Sequence, residues 1–219
     1  RDVYKRQDPQ IEDRQFGIVD AKGGSATFTG SHCFDYAGGI AEENIAAQGN
    51  ILVSKATVEA LVNTFKTTEG SLAFRLVSAL DAAQDAGGDR RGRQSAALLV
   101  VKKNGSYGGY NDRYIDLRVD DDPQPIKKLI HLLELHTLYF NKTSPEEALP
   151  IDHKLALKIQ KALIKLNFYR GELTGCYDEL TKSALSDFCG IENYEERWCE
   201  GDLIDFHVLK ALLKKAKMR

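Results

Sequence analysis

The sequence predicts an α+β fold followed by a small all-α second domain. Three observations carry this. Strand-like segments separated by turn residues fill positions 15–50. Two helical stripes then follow back to back, ahead of a second pair of strands and a further helix. Beyond a Thr/Ser/Pro/Glu stretch at 143–150 the pattern is helical, with no clear strand. Adjacent helices between antiparallel strand groups do not fit a doubly wound sheet, which alternates strand and helix. They fit a sheet layer covered by a pair of helices.

Each element has its own signal. Gln15–Asp20 reads as a strand, Ala21–Gly24 as a turn, and Ser25–Gly30 as the returning strand, with Ala26 and Phe28 on one face. Glu43–Asn50 reads as a third strand. Ser54 stands where a helix N-cap is needed, ahead of the stripe Val58, Leu61, Val62 and Phe65. Ser71 opens the next helix, whose stripe is Leu72, Leu76, Val77 and Leu80, and Gly87-Gly88 stops it. Ser95–Lys102 is an apolar strand. A Gly/Asn/Tyr-rich loop at 104–112 joins it to Arg113–Val119, which alternates polar and apolar. Asp122-Pro123 reads as an N-cap with proline at the first helical position, opening a helix to about Asn141. In the last third, Leu155, Ile159, Leu163 and Leu166 form one inward face. Leu180, Ala184, Leu185 and Phe188 form another, and Lys210–Arg219 reads as a solvated helix face.

Composition bounds the function. The chain has 219 residues, 28% of them charged, with a net charge of -2, which gives no support for nucleic acid or anionic membrane as a partner. No apolar run approaches the span of a bilayer. Cys33, Cys176, Cys189 and Cys199 show no C-x-x-C pair and no zinc spacing. Reduced thiols in a cytoplasmic protein are expected, the alternative being one disulfide among the last three. Arg1–Gln7, with no initiator Met, reads as a non-native leader of the kind found at the ends of metagenomic reading frames.

Several groups are candidates for chemistry. The turn Gly88-Asp89-Arg90-Arg91-Gly92-Arg93-Gln94 gathers charge and backbone freedom at a strand mouth. As a site, its arginines bind a carboxylate or phosphate. As structure, Asp89 bonds the turn and the arginines face water. Gln48-Gly49-Asn50 offers two side-chain amides suited to polarising a carbonyl, or else is a strand-end turn. Asp116 and Asp120–Asp122 form an acidic cluster, but Asp116 has Arg118 beside it and Asp122 has a capping role, so no metal is expected. No cofactor motif is present; the turn lacks the G-K-[ST] of a phosphate loop. His32-Cys33 is not a dyad by adjacency alone. Trp198 is a candidate for stacking on a sugar, with a core role as the alternative.

Five segments resemble, in order, an uncharacterised bacterial family, domain of unknown function 1028, with an Ntn-hydrolase-like fold. They are Arg14–Asp20, Thr29-Gly30 leading to Cys33, Gln48–Asn50, Gly87–Ser95 and Asp116–Asp121. The resemblance implies an αββα sandwich lacking its first strands over residues 8–143. It also implies an amide-cleaving activity in which the residue at the free N-terminus is the nucleophile. This chain then supplies no catalytic residue. Its substrate-binding candidates are Gln48, Asn50, Asp89, Arg91 and Gln94, with Arg91 holding an anionic end of a small amide or peptide. Uncovered strands imply self-association, a homo-oligomer among its forms, or poor solubility. Residues 151–219 are similar to a peptidoglycan-binding domain in Ala156–Leu163, Leu166–Gly171, Gly175–Asp178 and Ala184–Phe188. Peptidoglycan is thereby an expected partner, with Thr174 and Cys189 departing from the usual pattern. The alternative function is a non-catalytic binding protein that keeps the sandwich as scaffold.

Overall fold

The first hairpin is set by its turn. Asp20 Oδ1 accepts the N–H groups of Lys22 and Gly24 at 2.8 and 2.9 Å, and Gly23 supplies a φ of +85°. β1 (Gln15–Val19) and β2 (Ser25–Thr29) therefore pair antiparallel, with Phe16 opposite Phe28 and their rings stacked at 5.2 Å. The structure, a computed structural model, describes residues 8–218. The proposed leader, Arg1–Gln7, lies outside the described residues. Contacts separate two compact units between Leu133 and Glu134.

The third strand of the sequence reading is a second hairpin. β3 (Gly38–Glu42) turns through Glu43-Asn44, with Asn44 at φ +62°, into β4 (Ile45–Gly49). Gly38-Gly39 hid β3, because glycine is depleted in strands. These glycines answer to space instead. β2 lies against β3 and β1 against β4. A Cβ on Gly39 would stand 2.8 Å from Thr27 Oγ1 and 3.1 Å from the Ala47 carbonyl, and one on Gly17 would meet Gln48 Oε1. Gln15 Nε2 ties the hairpins together, donating to the Gly49 carbonyl at 2.8 Å and to Thr29 Oγ1 at 3.0 Å.

α1 (Lys55–Thr67) packs on β3 and β4, and α2 (Leu72–Asp85) packs beside α1 and on β5. Ser71 caps α2, accepting the Phe74 N–H at 3.3 Å, whereas Ser54 holds the cap position of α1 without a side-chain bond. Arg75 reaches from α2 to the Phe65 carbonyl at 3.1 and 2.9 Å and lies over the Phe65 ring. Leu72, expected to face inward, is exposed. The buried stripe runs through Ala73 and Val77, small residues that let the helix approach the strands closely.

β5 (Ala96–Val101) and β6 (Arg113–Val119) form the third hairpin. The run Ser95–Lys102 is not buried on both faces: Leu98 and Val100 point in, Leu99 and Val101 out. α3 (Pro125–Phe140) begins at Pro125 and not Pro123, because Asp122 Oδ1 takes the Gln124 N–H at 2.7 Å and forms a turn ahead of the helix. Leu129 and Leu133 close a core with Ala73, Val77, Leu98, Val100, Ile115 and Val119.

The second unit is built on α4 (His153–Lys165), α5 (Glu179–Glu192) and α6 (Phe206–Met218). Asp152 and Asp178 cap the first two, accepting the Leu155 and Thr181 N–H groups at 2.7 and 2.9 Å. Ile159, Leu163, Phe188, Val208 and Leu212 fill the core. Leu180 is exposed, and the neighbouring Thr181 is buried in its place. The unit is not all-α: β7 (Ala148–Pro150) pairs with β8 (Leu203–Asp205). Three-residue strands are too short to show a period of two. The architecture of the described residues is thus mixed α+β, with six α-helices and four two-stranded antiparallel sheets in place of one covered sheet layer. No helix among them is long and apolar enough to cross a membrane.

Gly39→Ala is expected to destabilise the first unit by about 1–3 kcal/mol, the range for forcing extra volume into a packed contact. A denaturation midpoint equal to that of the parent chain would contradict the close approach of the hairpins.

Candidate functional site

Three loops meet at the end of β4. Leu52 exchanges backbone hydrogen bonds with Tyr36 at 3.0 and 3.1 Å, and the Ile51 N–H bonds the Phe34 carbonyl at 3.2 Å. On the other side the Val53 N–H donates to the Gly88 carbonyl at 3.0 Å and the Arg90 N–H to the Ile51 carbonyl at 2.9 Å. Leu52 and Asp89 form an antiparallel bridge. The segment 51–53 is therefore held between 34–36 and 88–90. Ile51 sits at φ +59°, a costly conformation for a β-branched residue that persists only where its surroundings impose it.

This ladder brings two of the sequence candidates together: the stretch following Gln48 and Asn50, and the Asp89–Arg91 turn. Gln48 Oε1 and Asn50 Oδ1 are buried without a hydrogen-bond partner among the described residues. Asp89 accepts from Arg91 twice through the side chain, at 3.0 and 2.7 Å, and once from its backbone N–H at 2.7 Å. The Arg91 guanidinium holds the Asp89 carboxyl below the usual carboxylate range. Arg91 is thus engaged at home, so the anion-binding role expected of it is not its resting state. Arg90 and Arg93 are the exposed arginines of the turn without an ion-pair partner among the described residues. Gln94 does not join this ladder; its carbonyl accepts the Asp122 N–H at 2.9 Å. Phe34 and Val53 stand exposed beside the three loops.

The other candidates have local partners. His32 Nδ1 lies 3.0 Å from Asp13, and Cys33 Sγ lies 3.6 Å from the Arg14 carbonyl, so the two do not form a dyad. Asp116 pairs with Arg113 and Arg118. Among the described residues no group of three His, Cys, Asp or Glu side chains is placed to hold a metal ion. All four cysteines are free, and burial pushes the Cys189 thiol up to about 12.

In the second unit the functional-looking cluster is one the sequence reading passed over. Arg197, next to Trp198, is buried, while Trp198 packs half-buried against the core. Arg197 donates to Asp205 at 2.7 Å, Glu147 at 3.2 Å, and the Thr137 and Leu138 carbonyls at 2.7 and 2.9 Å. Glu147 also faces His207 Nε2 at 3.1 Å. Asp205 in turn caps α6 through the His207 and Val208 N–H groups. Nothing in Glu195-Glu-Arg-Trp distinguishes a buried arginine from a surface one, since its partners lie up to 60 residues away.

Residues 2–129 match the family described as "Family of unknown function (DUF1028)". The chain belongs to this family. The match opens inside the heptapeptide read above as a leader. Residues 139–212 of this family member match a "Putative peptidoglycan binding domain". Protein SPO2555 from Silicibacter pomeroyi, whose crystal structure is titled with the same family, is 30% identical with a TM-score of 0.54. The match covers 62% of this chain and 58% of that one, so this family member spans well under two thirds of that relative's length. Among curated proteins no match is found.

Burial raises the Glu147 carboxyl, but the Ser144 N–H, His207 and Arg197 outweigh it, so the pKa lies below its ordinary 4.5. A carboxyl lowered in the folded state stabilises the fold above its unfolded value and loses that contribution as pH falls through the folded one. The melting-temperature gap between the parent chain and Glu147→Gln is therefore expected to narrow on acidification below 4.5. A gap that stays constant from about pH 7 to about pH 3 would sink this assignment.

Proposed function

We propose that this chain carries the substrate-orienting part of an Ntn-type amidohydrolase acting on a small amide or peptide. The observation that supports the reading is the state of Gln48 and Asn50. Both side-chain oxygens are turned inward and buried, and neither amide nitrogen makes a hydrogen bond among the described residues. Uncommitted N–H donors at a fixed strand end are what a carbonyl needs to be polarised. The strained Ile51 and its ladder hold the backbone beside them, and the Asp89–Arg91 pair fixes the facing turn. Arg90, exposed and near enough to Asp89 to help lower its carboxyl, supplies a cation for an anionic substrate end, and Phe34 and Val53 an apolar rim.

Two hairpins stacked face to face with a helix on one side are consistent with a portion of an αββα sandwich. In such an enzyme the nucleophile is the free N-terminal residue of the mature protein, and its own α-amine, with a pKa near neutrality, is the base. We assign that role to no described residue.

The second unit favours a further role. Its family match supports contact with peptidoglycan, which would place the first unit near cell-wall amides. In this reading the chain is a docking protein whose first unit binds without turnover.

Titrating the ¹⁵N-labelled chain with acetamide is expected to shift the side-chain NH₂ resonances of Gln48 and Asn50. The backbone amides of Asp89 and Arg91 are expected to move with them. Asn50→Ala should weaken that binding by about fivefold, the worth of one hydrogen bond. Shifts confined to other residues would remove the site. Retention of the chain on purified sacculi at moderate salt is expected for the second role, and complete elution with the flow-through would end it.

A further inference from the structure

Two residues of β1 touch the candidate site without belonging to it. Gln15 Nε2 donates to Thr29 Oγ1, its cross-strand neighbour, at 3.0 Å. It then reaches the other hairpin, donating to the Gly49 carbonyl at 2.8 Å, with the Gly38 carbonyl at 3.4 Å. Gly38 and Gly49 face each other as the last pair of the β3–β4 ladder. The amide therefore staples the strand end that Gln48 and Asn50 flank. A peptide unit is planar, so fixing the Gly49 carbonyl also fixes the Asn50 nitrogen bonded to it. Gly17 acts on the other side of Gly49. A Cβ there would stand 3.0 Å from Gln48 Cδ and 3.1 Å from Ala46 Cβ, and would meet Gln48 Oε1. Positions 15 and 17 share one face of β1 by the period of two, and β1 lies against β4.

We propose that β1 is the positioning element of this site, Gln15 setting the Asn50 side of Gly49 and Gly17 the Gln48 side. The inference rests on the reading of Gln48 and Asn50 as the pair that polarises a carbonyl. Neither β1 residue contacts the substrate; both act through the residues they hold. A tie between hairpins could end on any strand carbonyl. This one ends on the carbonyl between the two candidate amides, at the point where the chain leaves the ladder for the left-handed Ile51. Bonds to 34–36 and 88–90 hold the segment beyond that point, and Gln15 holds the segment before it. The two amides are thus fixed from both directions, which is what a preorganised donor pair requires.

The test is acetamide titration of the ¹⁵N-labelled 219-residue chain and of Gln15→Leu, Gln15→Glu, Gly17→Ala and Val77→Ala, circular dichroism checking that each is folded. Gln15→Leu is expected to bind about threefold or more weakly, the worth of one hydrogen bond, and to move the Asn50 resonances before any ligand is added. Gly17→Ala should weaken binding while moving the Gln48 side-chain NH₂ instead. Gln15→Glu sets a carboxylate against carbonyl oxygens, which raises its pKa, and protonation restores a donor. Its affinity should therefore recover as pH falls from about 8 to about 5, while the parent's stays level. Val77→Ala loosens the core under α2 and should cost stability without affinity. Gln15→Leu binding as tightly as the parent, Gln15→Glu without recovery in acid, or Val77→Ala weakening acetamide equally would each overturn the role of β1 and leave the site standing. A parent chain that acetamide does not shift would remove the site and this role with it.

Discussion

Every sheet among the described residues has two strands, and a two-stranded sheet does not hold itself together in water. The remaining architecture answers that constraint. β1–β2 and β3–β4 support each other face to face, and the glycines at 17 and 39 exist so that they can come close enough. The β5–β6 hairpin leans on α2 and α3 through one compact core. β7–β8 leans on the core of the second unit through Ile204 and Leu149, and its last residue, Asp205, is locked to Arg197.

Polar groups do the equivalent work where apolar surface runs short. Arg197 is surrounded by two carboxylates and two carbonyls, so its burial leaves no uncompensated charge. Gln160, fully buried in α4, plays a similar part. Its amide donates to Thr174, Cys176 and Thr181 within 3.1 Å and accepts the Gly175 N–H at 3.0 Å, which fixes the loop ahead of α5. Both residues come from helix or turn segments whose sequence gives no hint of burial, and both gain their role from distant partners.

That distance explains what was legible in the chain and what was not. Helices α1, α2, α4 and α5 announced themselves through apolar stripes, which are local periods, and Ser71 marked the start of α2, whereas the caps Asp152 and Asp178 were equally local but not read. The hairpin turn at Asp20–Gly24 was equally plain. β3 was hidden by its glycines, and β7 and β8 by their length. At the candidate site, the residue types Gln48, Asn50, Asp89 and Arg91 stood out. The pairing of Arg91 with Asp89 and the left-handed Ile51 did not, because both readings of the turn left Arg91 open to an anion or to water and Ile51 has no composition signal at all. The segment 34–36, which completes the ladder, carried no motif.

Trp198 is the single tryptophan of the chain, and it packs against the core of the second unit beside the arginine hub. Intrinsic indole emission is therefore a reporter with an address: it senses the loosening of the helical unit and is blind to the loops around Asn50. Far-ultraviolet dichroism sums over both units, so a lag between the two optical signals on heating would resolve them as separate thermal events without any added label.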